Sequence, residues 1–362
     1  MLNRLKNIPK FYFFLFGYHL LFTFFAYSTR VERGVSDSRL YWFQNNFPDT
    51  KTWFYFFNYG TDFLLFLNYP LVSLGFPYWS GFLFYSIIGY FGIVQWIRWT
   101  EIVFKATFVY KGIDFLTLLF LLPNLHYWTA TLGKEPLIFY GIASIFYAIA
   151  SSNYKTFSFV VGSLLVLIIR PHVALMLLIA VALVLLFRKN YSLTKRLFTA
   201  SISFTVLLLL LYMAFQLSEI RYLDWDRIRY FNAYSILSLQ NSGSYVPMLD
   251  YTYFYKLFSF YFRPLFFDSH SYWMVLASIE NSIVLVLHLI ALFFIVCFYT
   301  KMVFPQWLKV VFLFTFIAGL LYVQRYANLG LFMRTKIQFQ PFLLVGLLYL
   351  IKQGFHLIQR KS

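Results

Sequence analysis

Apolar residues fall along this chain in unbroken runs, not in alternation. Runs long enough to cross a bilayer, or nearly so, occupy 11–28, 80–97, 112–126, 136–150, 156–169, 173–187, 197–216, 279–299, 308–323 and 337–351. Runs of this length predict helices enclosed by lipid or by other helices. Several hold about 14 apolar residues, against about 20 for a full crossing. Such helices extend into their flanks or stop where protein surrounds them. The segment 52–78 is also apolar, but Asn58, Gly60, Asp62, Asn68 and Pro70 interrupt it. It reads as an amphipathic or re-entrant segment on the membrane surface. The expected fold is an all-α polytopic membrane protein of about ten transmembrane helices, with an interfacial amphipathic segment in the first outer loop.

Charge fixes the expected orientation. With ten spans and both termini on one side, that side holds 16 Lys and Arg against two acids, Glu101 and Asp114. The other side holds 14 Lys and Arg against 11 acids. The basic excess marks the cytoplasmic face, so both termini are expected in the cytoplasm. A crossing by 52–78 would send the cluster Arg188, Lys189, Lys195 and Arg196 outside, against that rule.

Composition agrees with the class. The 362 residues are 61% hydrophobic and 12% charged, about half the charged share of a soluble domain. The net charge of +17 comes mostly from short inner loops, so it does not imply nucleic-acid binding. One cysteine, Cys297, excludes a disulfide framework within the chain. The first run is rich in Phe and Tyr and lacks a small-residue cleavage site, so it reads as an uncleaved helix. Without linkers or repeats, residues 1–362 read as one transmembrane domain. Its large outer loops are 29–79 and 217–278, and no soluble domain is expected.

The candidate chemistry lies on the outer side, where ionisable groups cluster at helix ends. Asp37, followed by Arg39, stands just past the first run. A carboxylate there can act as a general base, or be a solvated acid paired with nearby arginines. LPNLHYWTATLGKEPL at 122–137 places Lys134 and Glu135 at a helix start, with His126 and Trp128 before it. Glu135 complements a helix dipole; Lys134 in that place calls for an anion nearby. IIRPHVAL at 168–175 puts Arg170 and His172 between two short runs. Snorkelling to lipid phosphates is the alternative for that arginine. Around NLGLFMRTKIQFQP, the cations Arg325, Arg334 and Lys336 lack a neighbouring acid, a pattern suited to phosphate or to lipid headgroups. RYLDWDRIRYF pairs its own charges locally, and FRPLFFDSHSYW adds Arg263, Asp268 and His270. No P-loop, GxGxxG, HExxH, GxSxG or paired-cysteine motif occurs. The spacing of His126, His172 and His270 defines no metal site, so no cofactor is implied, though a divalent cation stays open.

A first-loop acid, an interfacial segment behind it and cationic outer helix ends form a plan. It resembles the GT-C class of membrane glycosyltransferases and the Wzy-like polymerases of surface polysaccharides. The series LPNLHYWTATLGKE, IIRPH, FRPLFFDSHSYW and NLGLFMRTKIQ is similar to bacterial envelope-polysaccharide membrane proteins. The resemblance implies a bacterial inner-membrane enzyme that transfers a sugar from a polyprenyl phosphate or diphosphate on the outer face. Asp37 would take the acceptor proton. Arg39, Lys134, Glu135, Arg170, Arg263, Arg325, Arg334 and Lys336 would line the donor site, and His172 would assist the leaving phosphate. The partners implied are a polyprenyl-linked sugar, the bilayer and envelope-assembly proteins. The same cations also fit a transporter or flippase for a lipid-linked oligosaccharide or another anion.

Overall fold

Helix breakers, more than apolar length, decide where the elements of this chain begin and end. The computed structural model describes residues 2–34, 36–43, 47, 51–105, 108–188, 192–217 and 225–359. They form two compact units, residues 1–170 and 171–362, where the sequence alone reads as one domain. No linker composition marks the division. It falls at Arg170–Pro171, where proline cannot continue the preceding helix.

The first unit starts with α1 (Leu2–Arg33) and the short α2 (Asp37–Trp42). The expected surface segment is a single 3₁₀ turn followed by α3 (Thr61–Ser73). The 13 residues of α3 reach about 20 Å, too short to cross about 30 Å of hydrocarbon. The long α4 (Tyr78–Phe104) packs on α1 and on α7 (Lys134–Ser151).

The apolar run 112–126 is not a single helix. It opens in a hairpin of β1 (Val109–Tyr110) and β2 (Ile113–Asp114), turned by Lys111 and Gly112, both at positive φ. Asp114 then accepts from the Leu116 N–H and caps α5 (Phe115–Leu119). Pro123 starts α6 (Pro123–Thr129), which is bent by 112° from α7. Following α7, α8 (Phe157–Ile169) returns against it. Trp96, Trp99, Phe82 and Phe139 fill the core of this unit.

The second unit runs through α9 (Pro171–Leu186), α10 (Leu193–Leu217), α11 (Trp225–Leu237) and α12 (Tyr253–Phe262). It continues with α13 (Tyr272–Phe298), α14 (Gln306–Tyr322), α15 (Leu329–Lys336) and α16 (Gln340–Gln359). Within it, α9 packs on α10 and α14, while α16 packs on α13 and α14. Phe260, Phe314, Phe332, Phe339 and Phe342 are fully enclosed.

Four helices among the described residues are long and apolar enough to cross a membrane: Lys10–Glu32, Tyr78–Phe104, Tyr272–Lys301 and Gln340–Gln359. The bent α6–α7 pair would make a fifth. Ten were expected. Part of the difference lies in breakers within apolar runs and in α8, α9 and α14, which are apolar but have 13, 16 and 17 residues.

Candidate functional site

The first unit gathers polar groups where α6 turns into α7. Glu135 lies in the first turn of α7, where free backbone N–H groups favour a carboxylate. Arg170 follows the last residue of α8, where free carbonyls favour a cation. Its Nη2 donates to Glu135 Oε1 at 2.7 Å. Both are buried, at 7% and 3% exposure. The two helices approach closely through Gly141 and Gly162: a Cβ on Gly141 would lie 2.5 Å from the Gly162 carbonyl oxygen. Gly133 leaves room for the carboxylate, since a Cβ there would stand 3.0 Å from Glu135 Oε2.

This pair does not exhaust its donors. Arg170 Nη1 is buried and lacks a hydrogen-bond partner among the described residues. Thr131 Oγ1, in the same turn and 3% exposed as a residue, is in the same condition. A buried polar group without a partner costs about 1–3 kcal/mol. Native folds rarely bury such groups without a reason.

Helix α3 forms the rim and links this cluster to α2. Half-buried Lys134 donates from Nζ to Thr61 Oγ1 at 2.8 Å. Gly60, at φ +74, donates its N–H to the Ile168 carbonyl at 2.9 Å. Farther along α3, buried Asn68 donates to the Tyr41 carbonyl at 2.9 Å and accepts from Tyr85 Oη at 3.0 Å. Thr61 and Asn68 are about 10 Å apart along the helix, and Tyr41 stands about 6 Å along α2 from Asp37. Asp37 is exposed in the first turn of α2. The Arg39 guanidinium lies 4.5 Å over the Phe43 ring.

The other predicted residues stand in the second unit. His172 is exposed near the start of α9, its ring edge-on to Tyr322 at 6.2 Å. Arg325 is exposed and lies 4.4 Å over the Phe231 ring. Arg334 is half-buried in the last turn of α15.

Two predicted donor-site residues serve the fold instead. Arg263 is buried and donates from Nε and Nη2 to the Asp268 carboxylate, and from Nη1 to Tyr251 Oη at 3.2 Å. Asp268 also accepts the Leu265 N–H at 2.9 Å. Burial works against the Arg263 charge most strongly, yet Asp268 and Tyr251 together hold its pKa above the ordinary value. Lys336 is fully buried and donates to the carbonyls of Tyr261 (3.3 Å) and Arg263 (3.0 Å) and to Asn281 Oδ1 (3.0 Å). Those three bonds use all three ammonium donors, leaving none for a phosphate. Burial pushes its pKa down to about 7, against the pull of Glu280. The reason is geometric: the chain turns back at Arg263–Pro264 and the cations face inward to satisfy that corner.

Local pairing in RYLDWDRIRYF is weak. Asp226 and Arg229 are 3.9 Å apart and both highly exposed, an arrangement worth about 0–1 kcal/mol. Arg221 and Asp224 lie outside the described residues. His126, expected in an outer loop, is fully buried and meets His19 of α1. Sequence reasoning passed over His19, although a polar residue inside an apolar run is itself a signal. Among the described residues no group of three or more His, Cys, Asp or Glu is gathered for a metal ion. A cavity of about 690 Å³ in the second unit, lined by Phe187, Arg188, Lys309 and Phe312 among others, includes none of the predicted residues.

No family model, curated protein or solved structure matches this chain.

Proposed function

We propose that this membrane protein transfers a sugar from a polyprenyl phosphate or diphosphate, as a glycosyltransferase or a polysaccharide polymerase. The observation that carries the reading is the half-used Arg170 guanidinium. A buried arginine with an unoccupied nitrogen, tied to Glu135 in the first turn of α7, suits a phosphate oxygen. Glu135 holds the fork in place through Nη2, and Lys134 adds a second cation at the rim.

In this reading Arg170 faces the phosphate that leaves with the lipid. As the bond from the sugar anomeric carbon to the phosphate oxygen breaks, negative charge grows on that oxygen and the guanidinium offsets it. The acceptor hydroxyl forms the new bond to the anomeric carbon, and its proton passes to the Asp37 carboxylate. The hydrocarbon tail stays in the bilayer beside the short helices. The reading also takes the chain to be a multi-pass protein of a bacterial inner membrane, its site outside and its termini in the cytoplasm. It draws on neither Arg263 nor Lys336.

The 112° break between α6 and α7 favours one other reading. Broken helices whose ends face a polar site also occur in carriers, where they bind the transported anion. That reading is a flippase for a lipid-linked oligosaccharide.

Purified protein in proteoliposomes, given lipid-linked saccharides, separates the two. A new glycosidic product that is lost in Arg170→Ala and Asp37→Asn supports transfer. Movement of the lipid between leaflets with no new bond establishes the carrier instead. Full product formation by both variants ends the assignment of roles.

A further inference from the structure

His19 of α1 and His126 of α6 meet inside the first unit, both at 0% exposure. Their Nδ1 atoms are 2.9 Å apart. The other nitrogen of each ring faces a backbone carbonyl: His19 Nε2 lies 3.1 Å from the Ser86 oxygen, and His126 Nε2 lies 2.9 Å from the Phe120 oxygen. Carbonyl oxygens only accept, so each Nε2 carries a proton. The two Nδ1 atoms then face each other, and a hydrogen bond between them requires one more proton. Three contacts need three protons, while two neutral imidazoles bring two.

We infer that His19 and His126 bind one proton between their Nδ1 atoms, and that this proton ties α1 to α6. Without it, two nitrogen lone pairs would be opposed at 2.9 Å. The groups around the pair do not supply the charge in another way. From α1, the Tyr18 ring stands edge-on to His126, with its hydroxyl donated to the Leu121 carbonyl. From α4, the Tyr90 ring lies 6.0 Å from His19, with its hydroxyl donated to the Tyr12 carbonyl. Thr23 and Ser86 hydrogen-bond to each other at 2.6 Å beside the pair. No carboxylate among the described residues is ion-paired with either ring.

A buried cation without a counter-ion is costly. Two carbonyl acceptors and a second imidazole offset that cost by spreading the charge over both rings. Because both outer nitrogens end on carbonyls, the proton has no onward hydrogen-bonded route through them. The pair therefore acts as a clamp between helices, not as a relay. Its sign follows: the clamp is closed when the proton is bound and is lost as pH rises through the pair's own titration.

The test uses the full chain in lipid nanodiscs with ¹⁵N-labelled histidine. The chain has six histidines, so a variant with His172, His270, His288 and His356 changed to Gln leaves the pair alone. The expected spectrum, followed from about pH 4 to about pH 8, shows one strongly deshielded proton coupled to both Nδ1 nitrogens at the acid end, lost as pH is raised. Hydrogen exchange along α1 accelerates over the same range. His19→Gln and His126→Gln each remove the signal. Two rings with one N–H each, unchanged between about pH 4 and about pH 8, would overturn the inference. The four-histidine replacement leaves the pair intact, so the result stands when either pair variant fails to fold.

Discussion

Two buried arginine–carboxylate pairs among the described residues look alike and differ in their donors. Arg263 engages Asp268 and Tyr251 through three of its nitrogens, and Asp268 also takes a backbone N–H from its own corner. Arg170 engages Glu135 through Nη2 alone, and its Nη1 is buried without a partner among the described residues. In the sequence both are arginines beside a proline, RP, at an apolar boundary. What separates the brace from the proposed receptor is the number of donors the fold has already occupied. Desolvating a guanidinium is expensive, and evolution tolerates an incomplete shell mainly where something else completes it.

The largest expected effect tests the brace. Asp268→Asn leaves Arg263 buried beside a neutral group. Breaking such a pair costs about 3–5 kcal/mol, so thermal unfolding in detergent should fall steeply. A small change would mean that the corner is not a stabilising element.

The proposed receptor gives a different signature. On the proposed transfer reading, Arg170→Ala should lower glycosyl transfer on the order of 10²-fold or more, with some loss of stability because Glu135 loses its buried ion pair. Arg170→Met combined with Glu135→Leu should restore most of that stability, since apolar replacement of a buried pair is often neutral. It should not restore activity. Recovery of both would make Arg170 a structural residue like Arg263 and erase the contrast.

Lys336→Met comes next. It leaves three acceptors unmatched, an effect of about 1–3 kcal/mol. It should also change the pH dependence. The Lys336 pKa is pushed down from 10.5 to about 7 in the fold. The unfolded chain therefore binds more protons between those values, and stability rises as pH increases through that window. Denaturant midpoints measured across it should show the rise in the natural protein and lose it in Lys336→Met.

The smallest effect is at the rim. Lys134→Gln keeps a donor for Thr61 but removes a half-buried charge. It should weaken saturation by the lipid-linked donor about tenfold or less, leaving the maximal rate nearly unchanged. A loss as large as that of Arg170→Ala would move the proposed phosphate site from the buried fork to the rim.

Much of the fold was legible because bilayer-length apolar runs allow few alternatives. The run at 80–97 lies in α4, and those at 279–299 and 337–351 lie mostly in α13 and α16. The run at 112–126 misled because Gly112, Asp114 and Pro123 weigh little in an apolar average, yet each marks a boundary between elements. The candidate site was legible in kind. The spacing pointed to Lys134, Glu135 and Arg170 as cations and an acid at helix ends, and those three share one corner. Arg263 and Lys336 could not be told from them, since an inward-facing cation and an outward-facing one have the same spelling.

The sequence by itself determined the helical class, the apolar lengths and the breakers, because these depend on local propensity and on transfer from water to lipid. The tertiary structure decided which charges are occupied, which histidines meet and where the chain divides. Those outcomes depend on contacts between residues far apart in the chain: 35 positions separate Glu135 from Arg170, and 107 separate His19 from His126.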